Sequence, residues 1–281
     1  MSGTDSGRAK SLFLLVAAAA LWSAGGIIIK SINWNPAAIS GMRSLIASIV
    51  ILAWVRRPHF TWSKWQIGGA IAYAFCCGLF VVATKYTTAA NAIMLQYTGP
   101  IYVALFGHWF LHEKTNVWDW AAIIVVMGGM ALFFLDKLSP EGATGNILAI
   151  ISGIAFAWLA LFLRKQKDGS PVESVLLGNW IIAAVFAPFM FQSAPAFSDW
   201  TLLAALGVLQ LAVPYILYAK AIANVTALEA VLIPVIEPLL NPVWVMLFYG
   251  EAPGRWSAAG ATVVLVGIMG RSIAALRKTS A

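Results

Sequence analysis

Apolar residues in this chain come in long runs, broken by short polar connectors and lacking the alternation that barrel strands require. A helix needs roughly 20 apolar residues to cross a hydrocarbon core of about 30 Å. Windows of that size fall at 11–30, 36–55, 65–84, 87–110, 117–136, 144–163, 173–193, 200–220, 225–249 and 256–276. The pattern therefore predicts an all-α integral membrane protein of ten transmembrane helices. The connectors are too short to hide a soluble domain. Capping residues agree with the boundaries. Asn35-Pro36 reads as an N-cap followed by proline at the first helical position. Ser170 with Glu173, and Thr226 with Glu229, read as capping boxes.

The informative positions are polar residues and prolines inside the runs. "IPVIEPLLNP" (233–242) places Pro234, Pro238 and Pro242 four residues apart. Each lacks an N–H, so together they free the carbonyls of Ala230, Pro234 and Pro238 along one stripe of the helix. Glu237 lies beside that stripe, and Asn241 one turn beyond it. Free acceptors within a membrane belong where protein buries them or where they line a wet cavity, so helix nine is expected to line a path. Helix four carries Pro100, with Gln96, Tyr97, Gly99 and Tyr102 around it. An intramembrane carboxylate is a functional candidate by default. Glu237 suits proton exchange or a counter-charge for a substrate amino group; the structural alternative is a neutral or paired acid that serves packing. Arg43, two turns into helix two, suits a coupling role, an ion pair with a carboxylate, or snorkelling. Trp22, Trp158, Gln210 and Tyr215 complete the candidate cavity set, and packing is the alternative for the aromatic residues. Glu229 reads as a capping residue. Helices five and ten, rich in glycine (Gly128, Gly129, Gly260, Gly267, Gly270), read as packing elements away from the path.

An internal repeat organises these features. Placing each residue over the one 138 positions later aligns 88–113 with 226–251 without a gap, with Thr88/Thr226, Pro100/Pro238 and Glu113/Glu251 identical. The repeats, 11–136 and 144–276, hold five helices each. An odd number means that they enter the membrane from opposite sides. Inverted repeats of this kind are typical of secondary transporters, with the site near the midplane where the repeats meet. Arg8 and Lys10 before the first run give it the outline of a signal peptide, but the repeat needs it as a retained span.

Composition and charge add less. The chain is 61% hydrophobic and 10% charged, whereas soluble domains run about 45–50% apolar and about 25% charged. Of the Lys and Arg residues, thirteen are assigned to one side of the membrane, Arg255 among them, and four, Lys30, Lys85, Lys137 and Lys220, to the other. The excess marks the cytoplasmic side, which puts both termini in the cytoplasm. Topology thus accounts for the net charge of +7, and no nucleic-acid partner is implied. Cys76 and Cys77 are adjacent and within a span, so an ordinary structural bridge is excluded. No cofactor or metal site is expected. Glu229 and Glu237 stand eight residues, about 12 Å, apart along the helix, too far for an acid–base dyad. The sequence also lacks a selectivity-filter pattern, which argues against a channel. Partners are then a small-molecule substrate and the lipid bilayer, with a homodimer left open.

Ordered along the chain, "LWSAGGIIIK", Arg43, "ATKYTTAANA", Pro100 and Glu113 are followed by "AFAWLALFLRK", "YAKAIANVTALEA", Glu237-Pro238, Glu251 and "WSAAGATVVLVGI". This series resembles the ten-helix branch of the drug/metabolite transporter superfamily, whose repeat unit is the EamA domain. Within that branch it looks most like the bacterial aromatic amino-acid exporters. The resemblance implies a basket-shaped helical fold in a bacterial inner membrane, with a central cavity that opens alternately to each side. It also implies export of neutral or aromatic amino acids and related metabolites, with Tyr97 and Trp158 facing the cavity. A broad-substrate drug exporter of the same superfamily is the alternative. Gly99, where those exporters can carry a bulkier aromatic, implies a larger and less selective pocket.

Overall fold

In the computed structural model, residues 3–135, 142–169, 171–240, 243 and 254–279 are described, and all regular structure among them is helical. The first apolar run divides into α1 (Gly3–Trp22) and α2 (Gly25–Ser31); α3 (Pro36–Val55) and α4 (Lys64–Tyr86) are continuous. The fourth run also divides, into α5 (Ala89–Gln96) and α6 (Gly99–Leu111), and is followed by α7 (Val117–Phe133). Then come α8 (Ala143–Lys165) and α9 (Pro171–Met190). The next run is α10 (Asp199–Ala205), a π-helical stretch over Leu206–Ala212 and α11 (Val213–Ala221). After α12 (Ala227–Leu232) a 3-10 turn covers Ile233–Val235, helix resumes at 236–240, and α13 (Arg255–Thr279) ends the described chain.

Side chains fix where many of these helices begin. Asn35 accepts from the Ala37 N–H at 2.9 Å, with Pro36 following, as its sequence predicts. Thr88 and Thr226, equivalent under the 138-residue offset, each accept from the backbone N–H three residues on. At Thr226 the Glu229 carboxylate returns the bond, completing the capping box. Ser170 of the other expected box is outside the described residues.

Among the described residues seven helices are long and apolar enough to cross a membrane, and Val117–Phe133 is a shorter apolar helix. The expected spans 87–110 and 225–249 are not continuous, for a local reason. Pro100 occupies the first turn of α6, so the chain breaks at Tyr97–Thr98 before it. Pro234 sits in the 3-10 turn that separates α12 from 236–240.

Except for α2, which meets chiefly α4, each helix of the first half packs chiefly against one of the second. α4 lies along α8, α3 along α9, α1 along α11 and α7 along α13, while α6 touches α12 and α8. Gly129 and Gly260 lie in the α7–α13 seam, facing Val264 and the Phe133 backbone.

The end of the bundle that carries Arg8 and the α6–α7 connection is tied by ion pairs. Arg8 and Arg271 both reach Glu229, and Arg271 reaches Asp119 at 3.0 Å. Arg164 pairs with Glu113 at 2.9 Å and donates to the Ile222 and Ala223 carbonyls. At the opposite end, Lys30 and Lys85 donate to the carbonyls of Thr87 and Ile32.

Two basic residues change sides relative to the sequence assignment. Lys220 lies over the Trp54 ring at 4.4 Å, near Arg56 and Arg57. Arg255 opens α13 beside the end of α7, where Ser257 donates to the Phe133 carbonyl; Arg271, further along α13, meets Asp119 at the start of α7. Arg255 therefore belongs with Lys30 and Lys85, and Lys220 with the Arg8 end. The exchange leaves the totals of thirteen and four unchanged.

Candidate functional site

Four departures from regular helix surround one internal cavity. Trp22 ends α1 beside the Ser23–Ala24 break, and Gln96 and Tyr97 stand at the break between α5 and α6. Gln210 and Leu211 lie in the π-helical stretch, and Glu237 follows the 3-10 turn. With Arg43, Cys76, Cys77, Phe80, Phe156 and Tyr215 they line a space of about 30 Å³, enough for a water molecule or two. Irregular backbone at membrane depth is tolerated where it is buried in protein or lines a cavity, and both conditions occur here. Pro100 frees the Gln96 carbonyl, and α8 meets it with a glycine: a Cβ on Gly153 would fall 2.6 Å from that oxygen. Gly25 serves the same purpose at the first break, where a Cβ would meet the Gln210 amide at 2.7 Å.

One basic and one acidic side chain, Arg43 and Glu237, line this space. Arg43 is 1% exposed; it donates to Gln210 Oε1 at 2.8 Å and to the Cys77 carbonyl at 2.7 Å, and its Nε has no partner. Glu237 is 7% exposed, and Oε2 accepts from the Tyr97 hydroxyl at 2.6 Å. Of the roles the sequence left open for these two residues, an ion pair is not formed by either among the described residues: Arg43 is held by neutral oxygens and Glu237 by a phenol. Hydrogen bonds to a charged group contribute about 1.5–3 kcal/mol each, while taking a charge out of water costs several. The walls of the cavity thus carry electrostatic demand that the protein leaves incompletely met.

Aromatic rings fill the rest. Trp22 stands 4.9 Å from Tyr215, 5.6 Å from Tyr218 and 6.4 Å from Phe156, centroid to centroid, and Phe156 meets Tyr97 edge-on. The indole N–H of Trp22 is buried without a partner. Gln96 donates to Ser152, which donates in turn to the Cys76 carbonyl. Cys77 Sγ lies 3.0 Å from the Tyr215 hydroxyl.

The profile of the EamA-like transporter family matches residues 9–135 and again 143–273. The chain belongs to the EamA-like transporter family. Among curated relatives it is 25% identical to the threonine/homoserine exporter RhtA of Salmonella typhimurium, covering 99% of this chain and 90% of that protein. It is 21% identical to an uncharacterized transporter of Archaeoglobus fulgidus over 91% of this chain and 93% of that one. Against the uncharacterized transporter YwfM of Bacillus subtilis the identity is 24%, over 98% and 97%. A solved crystal structure superposes with a TM-score of 0.76 at 18% identity, covering 98% of this chain and all of that one. The fold is shared.

In this EamA-like chain the cavity gathers seven of the residues singled out from the sequence: Trp22, Arg43, Gln96, Tyr97, Gln210, Tyr215 and Glu237. Three others lie elsewhere. Trp158, expected to face the cavity, instead stacks on Phe106 at 5.4 Å and packs against Phe110 and Phe162. Gly99 is buried against Phe156 and Gly153, so it opens no pocket, and Tyr102 is half-buried outside the lining. Pro234 and Pro238 are buried in helix nine, while Asn241 and Pro242, like Trp244 and Glu251, fall outside the described residues. The sequence reading missed Cys76, Cys77, Phe80, Phe156 and Leu211. A weak signal existed beside Arg43: Ser40, one turn earlier on α3, is also buried.

Proposed function

We propose that this protein exports neutral and aromatic amino acids and related small metabolites across a bacterial inner membrane by alternating access. In this reading ten spanning helices form two inverted five-helix repeats, 11–136 and 144–276, and both termini are cytoplasmic. The observation that carries the reading is the convergence of four helix irregularities on one polar-and-aromatic cavity, since discontinuous helices meeting between repeats are how secondary transporters build a substrate site. The helix pairing supports the inverted repeat. Exchanging the halves turns the α1–α11 contact into the α8–α4 contact and returns α3–α9 and α7–α13 to themselves. The charge count supports the orientation. RhtA, a threonine/homoserine exporter by name, supports a small neutral amino acid as cargo, and the rings of Trp22, Tyr97, Phe156 and Tyr215 support an aromatic one.

At about 30 Å³ the cavity is too small for any of these substrates, so transport requires its walls to separate. Uptake by proteoliposomes of labelled phenylalanine, tryptophan, threonine, lysine, glutamate and a cationic dye tests the reading, each with and without an imposed pH gradient. Saturable uptake of the neutral and aromatic amino acids is expected. Uptake of the dye alone moves the protein to the drug-exporter reading.

A further inference from the structure

Burying a guanidinium and a carboxylate around one cavity without pairing them is an unusual arrangement. Each charge is costly away from water, and joining the two would relieve both at once. Here they are held apart. Arg43 is tethered by Gln210 and the Cys77 carbonyl, on the α3–α4 and π-helical wall. Glu237 is tethered by Tyr97, on the wall made by the breaks in helices four and nine. The same space is bordered by a chain of ring contacts, from Tyr215 through Trp22 and Phe156 to Tyr97. Two donors on residues that line this space, Arg43 Nε and Trp22 Nε1, are buried without partners. Buried polar groups left unsatisfied call for an explanation, and a bound ligand is one.

We infer that Arg43 and Glu237 are the two poles of a zwitterion clamp, with Arg43 taking the α-carboxylate and Glu237 the α-ammonium of a neutral amino acid. The inference rests on the transporter reading above and specifies which charges the site reads. Trp22 adds a second donor to the carboxylate, and the ring row accommodates an uncharged side chain. Gln210 and Tyr97 are positioning residues that hold the poles apart. A zwitterion answers both buried charges together. An amine alone leaves Arg43 uncompensated, and a carboxylic acid alone leaves Glu237 so; a site with buried polar groups discriminates strongly against ligands that leave them unpaired.

The test is competition against labelled L-phenylalanine in counterflow by proteoliposomes of the full chain. The competitors are unlabelled L-phenylalanine, phenylethylamine, which lacks the carboxylate, and 3-phenylpropionate, which lacks the amine. L-Threonine, 1-amino-2-propanol and 3-hydroxybutyrate form a parallel set against labelled L-threonine. In the wild-type protein each zwitterion should compete at least about tenfold better than either analogue, the factor expected for one lost hydrogen bond to a charge. Arg43→Gln should erase the advantage of the amino acid over the amine while keeping its advantage over the acid. Glu237→Gln should do the reverse.

Equal competition by zwitterion and analogue in the wild type overturns the clamp and leaves the exporter reading standing, and this arm needs no variant to fold. A variant that weakens all three competitors by one factor shows a structural role and overturns the assignment of that pole. Glu237→Gln that keeps its full preference for the zwitterion and loses only the response to a pH gradient assigns that residue to proton exchange, and overturns its half of the clamp. If neither amino acid exchanges at all, the exporter reading falls and the clamp falls with it.

Discussion

At the scale of single residues, the carboxylate of Glu237 depends on one hydroxyl. Tyr97→Phe removes that partner and keeps the ring against Phe156, so its effect reports the hydrogen bond alone. We expect a loss of about 1–3 kcal/mol, seen as a lower thermal midpoint of the detergent-solubilised protein, together with weaker exchange of L-phenylalanine. An unchanged midpoint would mean that Glu237 finds another partner, or stands uncharged without cost. The sequence exposed Glu237, Tyr97 and Arg43 because polar groups inside apolar runs are conspicuous. It could not reveal that Arg43 and Glu237 fail to pair, since helix periodicity fixes the face of a residue and says nothing of its neighbour across a bundle. Trp158 shows the same limit: an indole deep in a span suits either a cavity or a ring cluster, and only the packing of Phe106, Phe110 and Phe162 decides.

At the scale of elements, the prolines mattered more than a kink would suggest. Pro100 ends one helix and begins another, and the break holds its place because α8 presents Gly153 to the freed backbone. Gly153→Ala puts a Cβ 2.6 Å from the Gln96 carbonyl and 2.9 Å from that of Leu95, both backbone atoms that cannot swing aside. The expected cost is about 1–3 kcal/mol, with α5 displaced from α8 and uptake sharply reduced. Gly128→Ala is the control, because nothing lies within 4 Å of a Cβ there; it should leave the thermal midpoint and uptake unchanged. Equal tolerance of both substitutions would mean that the break adapts freely. The positions of Pro100 and Pro234 made two of the irregularities legible in the sequence. The π-helical stretch has a mark of the same kind, since Pro214 follows it and cannot donate to the Gln210 carbonyl four residues earlier, but that proline was not singled out in the sequence.

For the whole molecule, the ion pairs at the Arg8 end join the halves at the mouth of the bundle. Glu229 holds Arg8 from α1 and Arg271 from α13, and Arg271 also holds Asp119 on α7. In the alternating-access proposal, opening the cavity to that end requires these contacts to part. Glu229→Gln keeps an amide able to accept from the Thr226 N–H and removes the charge. It should therefore shift the population toward the state open at the Arg8 end by up to tens of fold, the range set by about 1–2 kcal/mol of lost pairing. Distances between spin labels across that mouth would report the shift, and an unaltered distribution would show that the pairs do not hold the mouth closed. In the sequence Glu229 looked like a capping residue and nothing more. The cap is real, but its second role arises from arginines 221 and 42 positions away in the chain, which no local pattern connects.

The adjacent thiols of Cys76 and Cys77 are the chain's whole complement of cysteine, and both lie buried in the cavity wall. The unmodified protein therefore carries its own chemical reporter at the place where, in the proposed mechanism, substrate passes. A membrane-impermeant alkylating reagent added from one face of a vesicle can reach these sulfurs only while that face communicates with the centre. Comparing the rates from the two faces, with and without amino acid, would time the opening of each door without a single engineered label.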